Sequence, residues 1–212
     1  MKLIAIIVFF FSASYLQSQY MTISTHFGYG LTQQQVKTEI GGDNYPKLFN
    51  HNQFNFNLQT QYNFNDYIAV GAYLRYDRGN RTFSGVLREN ELFVINSKDN
   101  DFTELWLGPI LTGSYKSVFL SFGYALSANR DDDFVDIENE NEVRSPLNAS
   151  SFAWFTHLGG KFELSSEFQM VVMLEYRVRY YDQIDGSNIN FDNKIGMQNI
   201  TPMIGFEYNF DI

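Results

Sequence analysis

The chain of 212 residues has no cysteine, which removes disulfides, thiolate metal ligands, a cysteine nucleophile and a lipid-modified N-terminal cysteine. Basic residues are also short: 15 Lys and Arg stand against 24 Asp and Glu, a formal charge of −9, or −10 once a leader carrying Lys2 is lost. Nucleic acid needs a basic surface, so it is excluded as a partner. Long apolar runs are missing beyond the first sixteen residues, leaving no stretch of the roughly 20 apolar residues that a spanning helix requires. Histidine occurs three times, as His26, His51 and His157, which leaves little material for acid–base chemistry.

The one apolar run lies at the start. Lys2 supplies a positive n-region, Leu3 to Leu16 an apolar core, and Gln17, Ser18 and Gln19 a polar end. This is the layout of a secretory signal peptide. Residues 1–19 are therefore expected to form a signal peptide cleaved after Gln19, with cleavage after Ser14 as the alternative, and residues 20–212 the mature domain.

Aromatics are plentiful, at 17% of the chain with 21 Phe and 14 Tyr, and they recur every second residue. From Ile200 to the C-terminus, Ile200, Pro202, Ile204, Phe206, Tyr208, Phe210 and Ile212 alternate with Thr201, Met203, Gly205, Glu207, Asn209 and Asp211. Period-two alternation sends the two sets to opposite faces of a strand. The cleanest example sets Phe54, Phe56, Leu58, Thr60, Tyr62 and Phe64 against an all-amide face of Gln53, Asn55, Asn57, Gln59, Gln61 and Asn63. Further strands are expected at Met21–Leu31, Ile68–Asp77, Phe102–Gly113, Val118–Ser127, Phe152–Glu163 and Phe168–Tyr181, giving eight in all. In the strand from Phe102, an outward Leu105, Leu107 and Leu111 sends Trp106 and Ile110 inward, and a bulge near Gly108 and Pro109 is the expected remedy.

The links alternate as well. Those after the second, fourth and sixth strands are tight, whereas Thr32–Asn52, Arg78–Asp101, Ala128–Ser151 and Asp182–Asn199 are long. An all-β, eight-stranded antiparallel up-and-down transmembrane barrel follows, with short periplasmic turns and long extracellular loops. A soluble lipocalin-like cup is the rival, but its outer face would be charged, whereas here the second face is glycine, alanine, serine and amide.

The closing alternating strand and this rhythm of turns and loops, over about residues 20 to 212, resemble the small eight-stranded outer-membrane proteins of Gram-negative bacteria, the class that includes the membrane domain of outer-membrane protein A and adhesion-type barrels. The resemblance implies a cell outer-membrane, porin-like fold, lipid and lipopolysaccharide as surroundings, and outer-membrane protein partners reached through extracellular loops. That family commonly ends in phenylalanine, and here isoleucine stands last. No peptidoglycan-binding domain is expected after the barrel.

Eight strands enclose an interior filled by side chains rather than an open channel. The expected inward charges are Arg75, Lys161, Arg177 and Arg179 against Glu104, Glu163, Glu175 and Glu207, a structural lumen network centred on Glu175, Arg177, Arg179 and Glu207. Asp77 and Asp211 share the inward phase but are expected in water at strand ends. No catalytic residue and no cofactor is expected, His26 and His157 being lumen-lining. In the third long loop Asp131, Asp132, Asp133, Asp136, Glu138, Glu140 and Glu142 make a candidate divalent-cation site, although calcium-loop spacing is lacking. In the second, Arg78, Arg81, Arg88 and Lys98 surround the apolar runs Phe83–Leu87 and Leu92–Ile95, read as a hairpin that continues the strands and invites partners by strand addition. The expected role is structural or surface-interacting, without an open pore; a lipid-active enzyme or an accessory subunit of a larger outer-membrane complex is the alternative.

Overall fold

A computed structural model of the chain describes residues 19–30, 33–36, 47–87, 93–138, 141–184, 187–188 and 196–211, with side chains placed for 19–30, 52–80, 101–131, 152–180 and 198–210. The expected signal peptide, apart from Gln19, and the C-terminal Ile212 lie outside these residues. The described chain is all β, in the order β1 (Tyr20–Gly30), β2 (Gln33–Val36), β3 (Lys47–Asn65), β4 (Ile68–Leu87), β5 (Phe93–Tyr115), β6 (Val118–Tyr124), β7 (Ser127–Glu138), β8 (Asn141–Glu163), β9 (Phe168–Ile184), β10 (Ser187–Asn188) and β11 (Gly196–Asp211). No helix among the described residues is long and apolar enough to cross a membrane.

The ladders close on themselves. β1 pairs antiparallel with β3 on one side and with β11 on the other, and β11 pairs with β9, so the first and last wall strands meet. β6 and β7 both lie between β5 and β8 and act as one interrupted wall strand. The wall thus has eight strands, in the ring β1–β3–β4–β5–β6/β7–β8–β9–β11. A closed ring leaves no wall edge with unpaired backbone, the condition for a sheet to cross a bilayer.

Local chemistry explains the tight turns at one end. Between β3 and β4, Asn65 Oδ1 accepts from the backbone N–H groups of Tyr67 and Ile68, both at 2.9 Å, an Asx-type turn. Between β5 and β6, Lys116 takes a left-handed φ of 54°. Between β8 and β9, Ser165 Oγ accepts from Phe168 N at 3.1 Å. Residues Tyr20 and Asp211 pair at this same end. At the opposite end the ladders run on past the expected strand limits: β4 stays paired with β5 as far as Leu87 and Phe93, and β7 with β8 as far as Glu138 and Asn141. Of the hairpin expected over Phe83–Ile95, the two arms Phe83–Leu87 and Phe93–Ser97 are paired, and residues 88–92 lie outside the described residues. Much of what the sequence assigns to long links is therefore paired strand.

The alternation maps onto inside and outside. Ile23, Leu58, Leu74, Leu120, Leu158, Leu174, Ile204 and Phe206 are exposed on the outer surface, whereas the amide row from Gln53 to Asn63 is buried. Exposed aliphatics around the whole wall, with polar groups enclosed, invert a soluble fold and form the apolar belt of a transmembrane barrel. Rings stack along this outer surface, as in Phe168 against Phe206 at 5.4 Å and Phe122 against Trp154 at 6.0 Å.

One expectation is corrected. Trp106 and Ile110 do point inward, 0% and 2% exposed, and the β4–β5 register passes through Gly108 and Pro109 unbroken. The bulge sits on the neighbouring strand: Leu107 faces Ser127 and Ile110 faces Gly123, so three residues, Tyr124 to Leu126, oppose two. Pro109 has no N–H for a ladder, and Gly108 lets the Tyr124 carbonyl approach so closely that a Cβ there would lie 1.8 Å from it. The extra residue flips the phase, so Ser127, which unbroken alternation from Ser121 and Gly123 sends inward, is exposed and Ala128 is buried.

Candidate functional site

Inside the ring, charged side chains on β4 and β9 meet. These strands stand four apart in a ring of eight, and so face each other across the full lumen. Arg75 on β4 pairs with Glu175 on β9, and Arg177 on β9 pairs with Asp77 on β4. The Arg75 Nε–H also donates to both Asp77 oxygens at 2.9 Å, and Asn55 Nδ2 donates to Asp77 Oδ1 at 2.6 Å. Arg177 Nη2 donates to Gln53 Oε1 at 2.9 Å. All four charged side chains are at most 1% exposed. Two cations and two carboxylates make a neutral group, which suits a space with little water, where an unpaired ion costs several kcal/mol.

Toward the loop end, Arg179 on β9 pairs with Glu104 on β5, and Glu104 has Arg130 of β7 as its register neighbour. The Arg130 guanidinium lies 3.8 Å from the centre of the Phe102 ring. Toward the turn end, Lys161 on β8 bonds Glu207 on β11 at 2.5 Å, with Lys161 21% exposed. Apolar groups pack alongside these ionic groups: Tyr73, Trp106, Ile110 and Phe155 with three alanines, and separately Phe119, Val171, Met173 and Met203. Arg75 and Arg177 lie 5.6 and 5.1 Å from the centre of the Trp106 ring, which joins the central ion pairs to the first of these clusters.

Of the eight charges expected to share the lumen, Arg75, Glu104, Glu175, Arg177, Arg179 and Glu207 are buried, Lys161 is half-buried, and Glu163 is exposed at the end of β8. Glu207 belongs to the turn-end pair and not to the centre. Asp77, expected in water, is fully buried at the centre, because β4 continues ten residues beyond it to Leu87. Arg130, read from sequence as part of a loop, is a lumen residue because β7 is a strand. In the acidic stretch Asp131 is exposed, and the side chains from Asp132 through Glu142 lie outside those described; the backbone sets Asp136 opposite Val143 and Glu138 opposite Asn141. Among the described residues no three His, Asp or Glu side chains gather as a metal site.

Ser121, His157 and Glu175 stand in one register row across β6, β8 and β9, in the order of a hydrolytic triad. His157 Nε2 lies 3.1 Å from Glu175 Oε2. The nucleophile–base bond is missing, however: Ser121 Oγ is engaged with Thr112 Oγ1 at 2.8 Å, and His157 Nδ1 has no partner. The row is also fully enclosed, away from any rim that lipid could reach.

No protein-family model and no curated protein sequence matches the chain. Among solved structures, the outer membrane protein OprG from Pseudomonas aeruginosa matches with a TM-score of 0.50 at 12% identity, over 92% of this chain and 97% of that one. This chain has the fold of the small outer-membrane β-barrels. Ail, the attachment invasion locus protein of Yersinia pestis, crystallised with the heparin analogue sucrose octasulfate, is similar at 17% identity and a TM-score of 0.47, over 92% of this chain and all of that one. Neisserial surface protein A is similar at 10% identity and a TM-score of 0.43, over 90% and 97%. At such identities the barrel architecture is what is shared, and no side chain of the lumen is carried over from those proteins.

Proposed function

We propose that this chain is an exported outer-membrane β-barrel with a lumen closed to ions, a structural or surface-interaction role, and no chemistry of its own. The observation that supports the reading is the pairing of Arg75 with Glu175 and of Arg177 with Asp77 across opposite walls, where the ionic groups hold one another inside the ring. The enclosed aromatic layer beside it adds a barrier that ions cross poorly. The turn end is assigned to the periplasm and the loop end to the outside. There the β4–β5 and β7–β8 hairpins, which run past the apolar belt, offer strand surface to an outer-membrane protein partner or to lipopolysaccharide. The acidic stretch from Asp131 to Glu142 is read first as a solvated, self-repelling surface segment, with divalent ions bridging it to anionic lipid as the second reading, which calorimetry showing no calcium binding removes.

The pore reading is tested in planar bilayers. Purified barrel is expected to give no steady conductance, both as wild type and as Glu175→Ala; steady channel currents from wild type overturn the closed lumen. The interaction reading is tested by extracting the native membrane in mild detergent. Stoichiometric co-purification of a second outer-membrane protein, lost on shortening the β4–β5 hairpin, supports it, and a barrel that always purifies alone counts against it.

A further inference from the structure

The lumen holds four metal-binding groups outside the arginine–carboxylate pairs: the imidazoles of His26 and His157 and the thioethers of Met173 and Met203, each 3% exposed or less. They lie on four consecutive wall strands, β1, β8, β9 and β11. Met173 and Met203 are direct register partners. His26 lies diagonal to Met203, since Gly28 faces Met203 and His26 faces Gly205. His157 lies diagonal to Met173 in the same way, since Gly159 faces Met173 and His157 faces Glu175. Diagonal neighbours on one sheet face are within reach of long side chains.

Glycine seats three of the four. A Cβ at Gly28 would lie 2.8 Å from Met203 Cγ, one at Gly159 2.6 Å from Met173 Cβ, and one at Gly205 2.4 Å from His26 Cδ2. The two imidazoles reach toward each other across the lumen, with ring centres 6.3 Å apart. Two rings sharing one ion through metal–nitrogen bonds of about 2 Å have centres no more than about 6.5 Å apart, so at this separation they share one in a nearly linear N–metal–N arrangement, with the thioethers as weaker ligands from the side. Both Nδ1 atoms are buried and have no hydrogen-bond partner. His157 also carries the usual mark of a metal ligand: its Nε2 lies 3.1 Å from the Glu175 carboxylate, a contact that in the Nε2–H tautomer leaves the Nδ1 lone pair open, and Phe155 stacks on the ring at 4.5 Å to hold its plane.

We infer that His26, His157, Met173 and Met203 form a lumenal site for a soft monovalent cation, cuprous ion in the first place, with silver ion as its chemical analogue. Thioether and imidazole donors favour Cu(I) over hard ions. The four ligands are neutral, the Glu175 charge is taken up by Arg75, and Lys161 stands two residues beyond Gly159 on the same face. Such surroundings disfavour a divalent ion more than a monovalent one.

The experiment loads the full barrel with Cu(I) under anaerobic reducing conditions, with Ag(I) and with Zn(II), both after folding and during refolding, followed by competition with a Cu(I) chelator. One Cu(I) or Ag(I) retained per barrel, no retained Zn(II), and shifts of two methionine methyl NMR signals are expected. Met203→Leu keeps the volume and His26→Gln keeps a polar group; each is expected to lower retention at least tenfold while the gel mobility of the folded barrel is unchanged. No retention in either loading mode overturns the site, and so does retention that both variants leave intact. Should a variant fail to fold, the methyl shifts in wild type decide: shifts confined to two methionines support the site, and no shift refutes it.

Discussion

The central ion pairs give the most exacting test of the interior. Arg75, Asp77, Glu175 and Arg177 are buried and sum to zero charge. Arg75→Met removes one cation from contact with two carboxylates and leaves a buried net negative charge. Breaking a buried pair from one side costs about 3–5 kcal/mol. Loss of the guanidinium near the Trp106 ring, 5.6 Å away in a fully buried site, adds about 1–2 kcal/mol. Glu175→Gln alone leaves an excess cation and is expected to cost a similar amount. Together, Arg75→Met and Glu175→Gln restore neutrality, with Arg177 still on Asp77, so the double variant is expected within about 2 kcal/mol of wild type. The coupling energy is then about 3 kcal/mol or more, far above the few tenths seen for independent sites. Reversible urea unfolding of the four proteins in lipid vesicles, followed by tryptophan fluorescence, measures it. A double variant destabilised by the sum of the singles would refute the pairing across the lumen.

Two further expectations follow from geometry. Lys161→Gln is expected to cost about 1–3 kcal/mol in the same unfolding measurement, less than Arg75→Met, because Lys161 is partly open to water although Glu207, left without its cation, is buried. Gly71→Val is expected to cost about 3 kcal/mol or more, since a Cβ there would lie 1.9 Å from the Thr60 carbonyl oxygen, whereas Gly113→Val, with nothing nearer than 4.0 Å, is expected to stay within about 0.5 kcal/mol of wild type.

The wall was readable because alternation is local. Each residue's face depends on its neighbours two positions away, so the amide row Gln53–Asn63 and the outward Ile204 and Phe206 follow from the chain alone. The interior pairings were not, because they join residues far apart in sequence: Arg75 and Glu175 are separated by 100 positions, and ring closure decides that β4 faces β9. Sequence adjacency of the last two strands puts Glu207 beside the central charges, but the register sets it opposite Gln169, nearer the turns. Asp77 and Arg130 were missed for one reason. Their strands continue through polar sequence, where propensity signals a loop and only pairing with a neighbour keeps the chain extended. The bulge expected near Gly108 and Pro109 lies on the neighbouring strand, since Pro109 interrupts a ladder whose partner must absorb the extra residue, and the phase flip beyond Leu126 is not legible from local alternation.

The account depends on the outer face touching acyl chains. Leu120, Leu158 and Leu174 form one register row on that face, 58%, 58% and 54% exposed, and the absence of native cysteine makes single-cysteine spin labelling at each position clean. In reconstituted bilayers, relaxation of all three labels is expected to respond to dissolved oxygen, which concentrates among acyl chains, and hardly at all to a water-soluble nickel chelate. Labels relaxed by the chelate in preference to oxygen would place this face in water and contradict the account.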